Sequence, residues 1–331
     1  MSCGHAVSLG RRLIRRQRPS PRYASSVSLR CVEVRPPLLQ PGDVVRLVSP
    51  ASTPNAEQLE LQTGIFTSWG LTVEHGNHAF DRCGFLAGSD VDRASDINDA
   101  LRDSRVRAIV ATRGGKGSYR LVDHLDYRAL QHDPKFLVGF SDITALHFAM
   151  WNECKVVGLH GGLFAETGDV LEETVETLRS ALMDAEPMDV VARSDESTSV
   201  LTTAGKVTGR LLGGNLDLVG TSASWLLPDL RGAILLIEAV DMGLGLTDRL
   251  LLMLRKGGYL DGIAGLAIGQ FSKFELDAEV SVIDLLREHL GDLDVPILGG
   301  LPIGHGYNPV TVPLGRMARL DADRGRLEFM V

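Results

Sequence analysis

No stretch of this 331-residue chain approaches the roughly 18 to 20 uninterrupted apolar residues that cross a bilayer, so no membrane span or membrane partner is expected. Cysteine is scarce. Cys3, Cys31, Cys83 and Cys154 have no paired spacing, which excludes a disulfide framework and fits a reducing, cytoplasmic setting. The amino terminus lacks the apolar core of a secretory signal. Metal motifs are missing too: there is no H-E-x-x-H and no C-x-x-C. His75, His78 and Asp81 form the only close cluster of ligating types, and neither a metal nor an organic cofactor is expected. No internal repeat or heptad array is visible.

What is present is a globular composition of 44% apolar and 23% charged residues, enough to bury a substantial core and long enough for two domains. The net charge of -8 is unevenly spread. Residues 1–36 hold eight arginines against the single acid Glu33, a balance of +7 that leaves -15 on the rest. An acidic body of that size repels phosphate backbones, so nucleic acid is not an expected partner. The basic leader is Arg-rich, Ser-rich and acid-poor, which fits an organellar transit peptide. We read residues 1–38 instead as a disordered extension.

From Pro41 short apolar runs alternate with amphipathic stretches: strands at 44–48, 71–74, 107–111 and 136–139, helices at 56–69, 93–103, 119–125 and 143–152. That rhythm predicts an α/β domain over 39–165 with a parallel sheet, whose sites form at the carboxyl ends of its strands. Residues 166–199 turn polar and acidic and read as a helix and linker. Residues 200–331 read as a smaller β-rich domain with strands at 207–212, 233–237, 265–269 and 297–298, a helix at 248–256 and a terminal hairpin around Asp323-Arg324-Gly325.

Four places could carry chemistry. In Gly139-Phe140-Ser141-Asp142-Ile143 a serine follows an apolar strand and opens a helix, the logic of a nucleophile elbow, although Ile143 stands where G-x-S-x-G has its second glycine. The same pattern suits a helix-capping serine. The loop Arg113-Gly114-Gly115-Lys116-Gly117-Ser118 fails both the Walker A and the G-x-G-x-x-G patterns, which disfavours nucleotide binding, but its amides can stabilise an oxyanion. Glu238 ends the apolar run Leu235-Leu236-Ile237 and needs a partner if buried. His305 lies between two glycines, a histidine with open access; His147 and His160 compete with it as the base.

Taken in order, R-G-G-x-G at 113–117, G-F-S-D-I-T-A-L-H at 139–147, H-G-G at 160–162, G-R-L-L-G-G-N-L at 209–216, L-I-E at 236–238, D-R-L-L-L-M-L at 248–254, G-Q-F at 269–271 and G-H-G at 304–306 resemble the LD-carboxypeptidase family of serine peptidases, which includes the microcin C self-immunity hydrolases. The resemblance runs from about residue 40 to the end. It implies a first domain resembling class I glutamine amidotransferases and a triad of Ser141, Glu238 and His305. It also implies an oxyanion pocket from the amides of Asp142, Gly114 and Gly115, no cofactor, a homodimer, and release of D-alanine from muropeptide tetrapeptides. Arg113 is the candidate clamp for the substrate's free carboxylate. Hydrolysis of peptidyl or aminoacyl nucleotides, with Trp69, Trp151 or Trp225 stacking on a base, and a non-catalytic binding module are the alternatives. Two positions depart from the family pattern: Lys116, where tyrosine is common, and Gly162, where the motif is usually H-G-P. Since every matching block lies beyond residue 40, removal of residues 1–36 is expected to leave hydrolysis intact.

Overall fold

The computed structural model describes residues 32–163, 171–185, 188–274 and 279–330. The first part runs β1 (Val44–Val48), α1 (Ala56–Ser68), β2 (Thr72–His75), α2 (Asp90–Arg102), β3 (Val106–Ala111), α3 (Tyr127–His132), β4 (Phe136–Val138), α4 (Thr144–Cys154) and β5 (Gly158–His160). Then come α5 (Glu172–Met183), β6 (Asp189–Val191), β7 (Lys206–Asn215), α6 (Leu216–Thr221), β8 (Ala233–Val240), α7 (Leu244–Lys256), β9 (Gly265–Ser272), α8 (Val282–Leu290) and β10 (Ile297–Leu298). β11 (Val312–Leu314), β12 (Met317–Asp321) and β13 (Arg326–Phe329) close the chain.

Two sheets result, of six strands in the order β11-β5-β4-β3-β1-β2 and of seven in the order β10-β9-β8-β7-β12-β13-β6. The expected parallel sheet is there: β2, β1, β3, β4 and β5 all run parallel. β1 is buried on both faces, which is why it reads Val-Val-Arg-Leu-Val, apolar except for the half-buried Arg46. Each fully buried aliphatic side chain there, such as Leu47, contributes about 1.5–3 kcal/mol. Side-chain caps start the helices: Asn55 accepts from the Gln58 amide at 2.7 Å, and Ser281 forms a reciprocal capping box with Asp284. In the second sheet β7 to β10 run parallel, while β12, β13 and β6 are antiparallel.

Several segments differ from the sequence reading. Residues 119–125 form two single 3₁₀ turns, Ser118–Arg120 and Val122–His124, rather than one helix. The segment 166–199 contains an edge strand, β6, as well as α5. β11, deep in the second part by sequence, joins the first sheet by pairing antiparallel with β5. Residues 33–38, assigned to the extension, are fastened to the body: Val34 N donates to Lys155 O at 2.8 Å, Val157 N donates to Val34 O at 2.9 Å, and Glu33 pairs with Arg210. Residues 1–31, with the rest of the basic leader, lie outside the described residues. Among the described residues no helix is long and apolar enough to cross a membrane.

Candidate active site

Ser141 sits where β4 hands over to α4. Its φ of 62° puts a non-glycine residue in the left-handed region, at a cost of about 1–3 kcal/mol. A short 3₁₀ turn, Ser141–Ile143, then leads into α4, so the serine lies at the amide-rich end of a helix that favours negative charge. Ile143 is fully buried, and Gly139 makes room for it: a Cβ on Gly139 would lie 2.8 Å from Ile143 Cγ2. The turn therefore forms with one glycine, because the second position is used for packing.

The glycine loop is pressed against this turn. A Cβ on Gly114 would stand 2.8 Å from Ser141 Cβ and 3.1 Å from its Oγ, so only glycine lets the loop backbone come this close. Gly115, in contrast, approaches Ser52. Asp142 holds the two segments together: its carboxylate accepts the Ser118 amide at 2.7 Å, and the Ser118 hydroxyl donates to Asp142 O. Burial pushes the Asp142 carboxyl upward, against the Ser118 hydrogen bonds. From behind, the carbonyl of Thr112 accepts Gln58 Nε2 at 3.2 Å and Gln62 Nε2 at 2.9 Å. Arg113 is half-buried, its Nε is enclosed without a hydrogen-bond partner, and no acid among the described residues lies within ion-pair distance of it. Lys116 reaches across to the second part, with Nζ 3.2 Å from Asp217 Oδ2.

Glu238 and His305 come from the second sheet. Glu238 is fully enclosed in β8, and the β8–β9 register shifts between Ile237 and Ala239, an irregularity of the kind that re-aims a side chain. Its Oε2 lies 2.7 Å from His305 Nδ1. Burial pushes the Glu238 carboxyl up, but His305, His160 and the Asn215 amide outweigh it, and the net direction is down. With Glu238 ionised, His305 Nδ1 must carry the proton, which leaves Nε2 as an acceptor. Gly304 has φ of 133° and lies against the carboxylate, where a Cβ would sit 2.8 Å from Oε2. The loop is held by Gln270, which accepts the Gly306 amide at 2.7 Å and donates to Tyr307 O at 2.9 Å. His305 in turn packs on Phe140, the residue before Ser141, with ring centroids 4.7 Å apart.

The three histidines occupy different places. His147 is buried with Nε2 2.8 Å from Gly139 O, and burial pushes its pKa down to about 4. His160 lies on the far side of Glu238, its Nε2 3.9 Å from Oε1. Phe140, Asn215 and Gln270 escaped the sequence reading of roles, although Asn215 and Gln270 stand inside the G-G-N-L and G-Q-F blocks. Of the weak metal cluster, His78 and Asp81 are 2.8 Å apart, but His75 turns to Thr63 and Asp92 replaces it. Trp151 is buried beneath Arg210 and Lys155, and Trp69 packs edge-on to Phe66. Trp225 is partly exposed and donates Nε1 to Thr221 O at 2.8 Å. A cavity of about 500 Å³ lined by Arg35, Phe136, Val157, Ser180 and Arg316 lies at the opposite, amino-terminal ends of β4 and β5.

A serine on a strained strand-to-helix turn, with a histidine–carboxylate pair from the second sheet packed on the neighbouring Phe140, marks the candidate site of a two-sheet α/β protein. The LD-carboxypeptidase N-terminal domain matches residues 45–161 and the C-terminal domain residues 208–320. The chain belongs to the LD-carboxypeptidase family and is a peptidase by that membership. A relative named as a carboxypeptidase in Streptomyces coelicolor is 35% identical over 301 residues, covering 89% of this chain and 95% of its own. One named as a murein peptide carboxypeptidase in Bacillus subtilis is 31% identical over 293 residues, covering 87% and 91%. The solved muramoyltetrapeptide carboxypeptidase from Oxalobacter formigenes is 25% identical with a TM-score of 0.75, covering 86% of this chain and 97% of its own. The microcin C7 self-immunity protein MccF superposes with a TM-score of 0.81 at 22% identity, covering 91% and 98%, a likeness of fold alone.

Proposed function

We propose that this protein is a serine carboxypeptidase that cuts the L,D-amide bond of muropeptide tetrapeptides and releases D-alanine. The observation that carries the reading is the 2.7 Å contact between His305 and the enclosed Glu238, beside the turn that bears Ser141. In this mechanism His305 Nε2 takes the Ser141 hydroxyl proton as Oγ attacks the scissile carbonyl. The tetrahedral oxyanion is held by the amides of Asp142 and of the Gly114-Gly115 loop. Collapse breaks the C–N bond and returns the proton from His305 to the leaving D-alanine amine. Water, deprotonated by the same imidazole, then hydrolyses the acyl-serine and regenerates the hydroxyl. Glu238 fixes the imidazole and stabilises its charged form.

Arg113 supplies the cation that a carboxypeptidase needs for the free terminal carboxylate, and its lack of an acidic partner supports that role. The names of the Bacillus and Oxalobacter relatives support the muropeptide as substrate. The nucleotide-conjugate reading rests on the MccF fold likeness; of the three tryptophans Trp151 and Trp69 are engaged in packing, and Trp225 alone is exposed. Mass spectrometry of a tetrapeptide digest tests the proposal: wild type releases D-alanine, and Ser141→Ala lowers the rate by at least about 10³-fold. Undiminished release by Ser141→Ala refutes the mechanism, and cleavage confined to aminoacyl nucleotides refutes the substrate. Labelling of Ser141 by a serine-directed phosphonate separates an enzyme from a binding module.

A further inference from the structure

We propose that His160 is a positioning residue that holds the catalytic carboxylate from behind: with its proton on Nε2, it donates to Glu238 Oε1 while His305 engages Oε2. The inference rests on the hydrolytic reading above and adds a residue that does not itself touch the substrate.

The geometry singles out this pair. Glu238 is fully enclosed, and its Oε1 has no hydrogen-bond partner. His160, at the end of β5, is 1% exposed, and neither of its ring nitrogens has a partner. An acceptor and a donor of complementary kind thus face each other at 3.9 Å in a site closed to solvent. An approach of about 1 Å makes a normal hydrogen bond. Leaving both groups bare is the costly alternative.

The surroundings make His160 a neutral donor rather than a cation. The titratable groups that act on it are Glu238 from β8, His147 from α4 and His305 from the loop after β10, and burial pushes its pKa down to about 4. Phe140 packs against both imidazoles, 6.1 Å from His160 and 4.7 Å from His305 by ring centroids, so the turn that bears Ser141 supports both rings. A donor on Oε1 stops rotation of the carboxylate and keeps it ionised as His305 gains the proton from Ser141.

Two variants test the role. His160→Gln keeps an N–H donor, and His160→Leu removes it. The readouts are the pH dependence of Ser141 labelling by a phosphonate, which does not depend on the peptide, and kcat and KM for D-alanine release. For His160→Leu the labelling rate and kcat fall about 10- to 100-fold with KM unchanged. Its acidic limb moves to higher pH, because a Glu238–His305 pair without that donor takes up a proton more readily. His160→Gln recovers most of the rate and the wild-type limb. If His160→Leu does not fold, His160→Asn, too short to reach Oε1, takes its place and must show the same losses. A donorless variant with wild-type rate and limb overturns the proposal. So does a His160→Gln enzyme as slow as His160→Leu with both limbs unmoved, since that marks a packing role. A wild-type protein that is neither labelled nor active sinks the hydrolytic reading, and this inference with it, before any variant is compared.

Discussion

Replacing Gly114 with alanine should cripple the rate while sparing the fold. The added Cβ would lie 2.8 Å from Ser141 Cβ, 3.1 Å from its Oγ and 3.4 Å from Phe140 O. Comfortable carbon–carbon contact is about 3.5–4.0 Å, so something must move by roughly 0.7–1.2 Å. The loop has little freedom to retreat, because Ser118 is bonded to Asp142 on one side and Thr112 to Gln58 and Gln62 on the other. The serine turn, already at φ of 62°, yields instead. A nucleophile misplaced by about 1 Å loses on the order of 10²-fold in rate. The overpacking itself costs about 1–3 kcal/mol, a loss that a folded enzyme of this size tolerates. D-alanine release measured alongside the melting temperature separates the two effects: kcat should fall about 100-fold and the fold should persist. A Gly114→Ala enzyme with wild-type kcat would refute the close approach of loop and serine, and with it the placing of the oxyanion amides.

Acid stability and the amino-terminal segment give two more tests. The folded-state pKa of His147 is pushed down to about 4 from the ordinary 6.5, so the unfolded chain takes the proton first and His147's contribution to stability is lost as pH falls from about 6.5 to 4. Melting temperature should therefore drop over that window, and less steeply in His147→Gln, which keeps a donor for Gly139 O; equal slopes would contradict it. Deleting residues 1–36 removes the two Val34 backbone bonds and the Glu33–Arg210 pair, so kcat should hold within about twofold while the melting temperature falls by roughly 2–8 °C. A more than tenfold loss of kcat, or an unchanged melting temperature, would count against that account.

Much of this was legible without coordinates because it is local. The strand-to-helix handover at Ser141, the glycine loop after β3 and the carboxylate ending the apolar run of β8 each follow from neighbours in sequence, whose periodicity and turn chemistry are readable. Edges of sheets were not. β6 and β11 are three residues each, too short for a pattern, and exist because a partner strand offers hydrogen bonds. The helix expected at 119–125 broke into two 3₁₀ turns, the first opened by Gly117 in the left-handed region at φ of 111°. Residues 33–38 looked like leader by charge, yet Val34 finds Lys155 and Val157 across more than a hundred residues.

The sequence by itself determined the alternation of strands and helices, the residue types of the site and the order in which they come along the chain, because these depend on short-range pattern and composition. Only the tertiary structure decided which of three histidines meets Glu238 Oε2. His147 and His160 are nearer to Ser141 in sequence, but the packing of the second sheet against the nucleophile turn sets His305 at 2.7 Å from the carboxylate and His160 at 3.9 Å behind it. Burial and hydrogen-bond geometry at such separations are properties of how the sheets meet, and no local stretch of residues contains them.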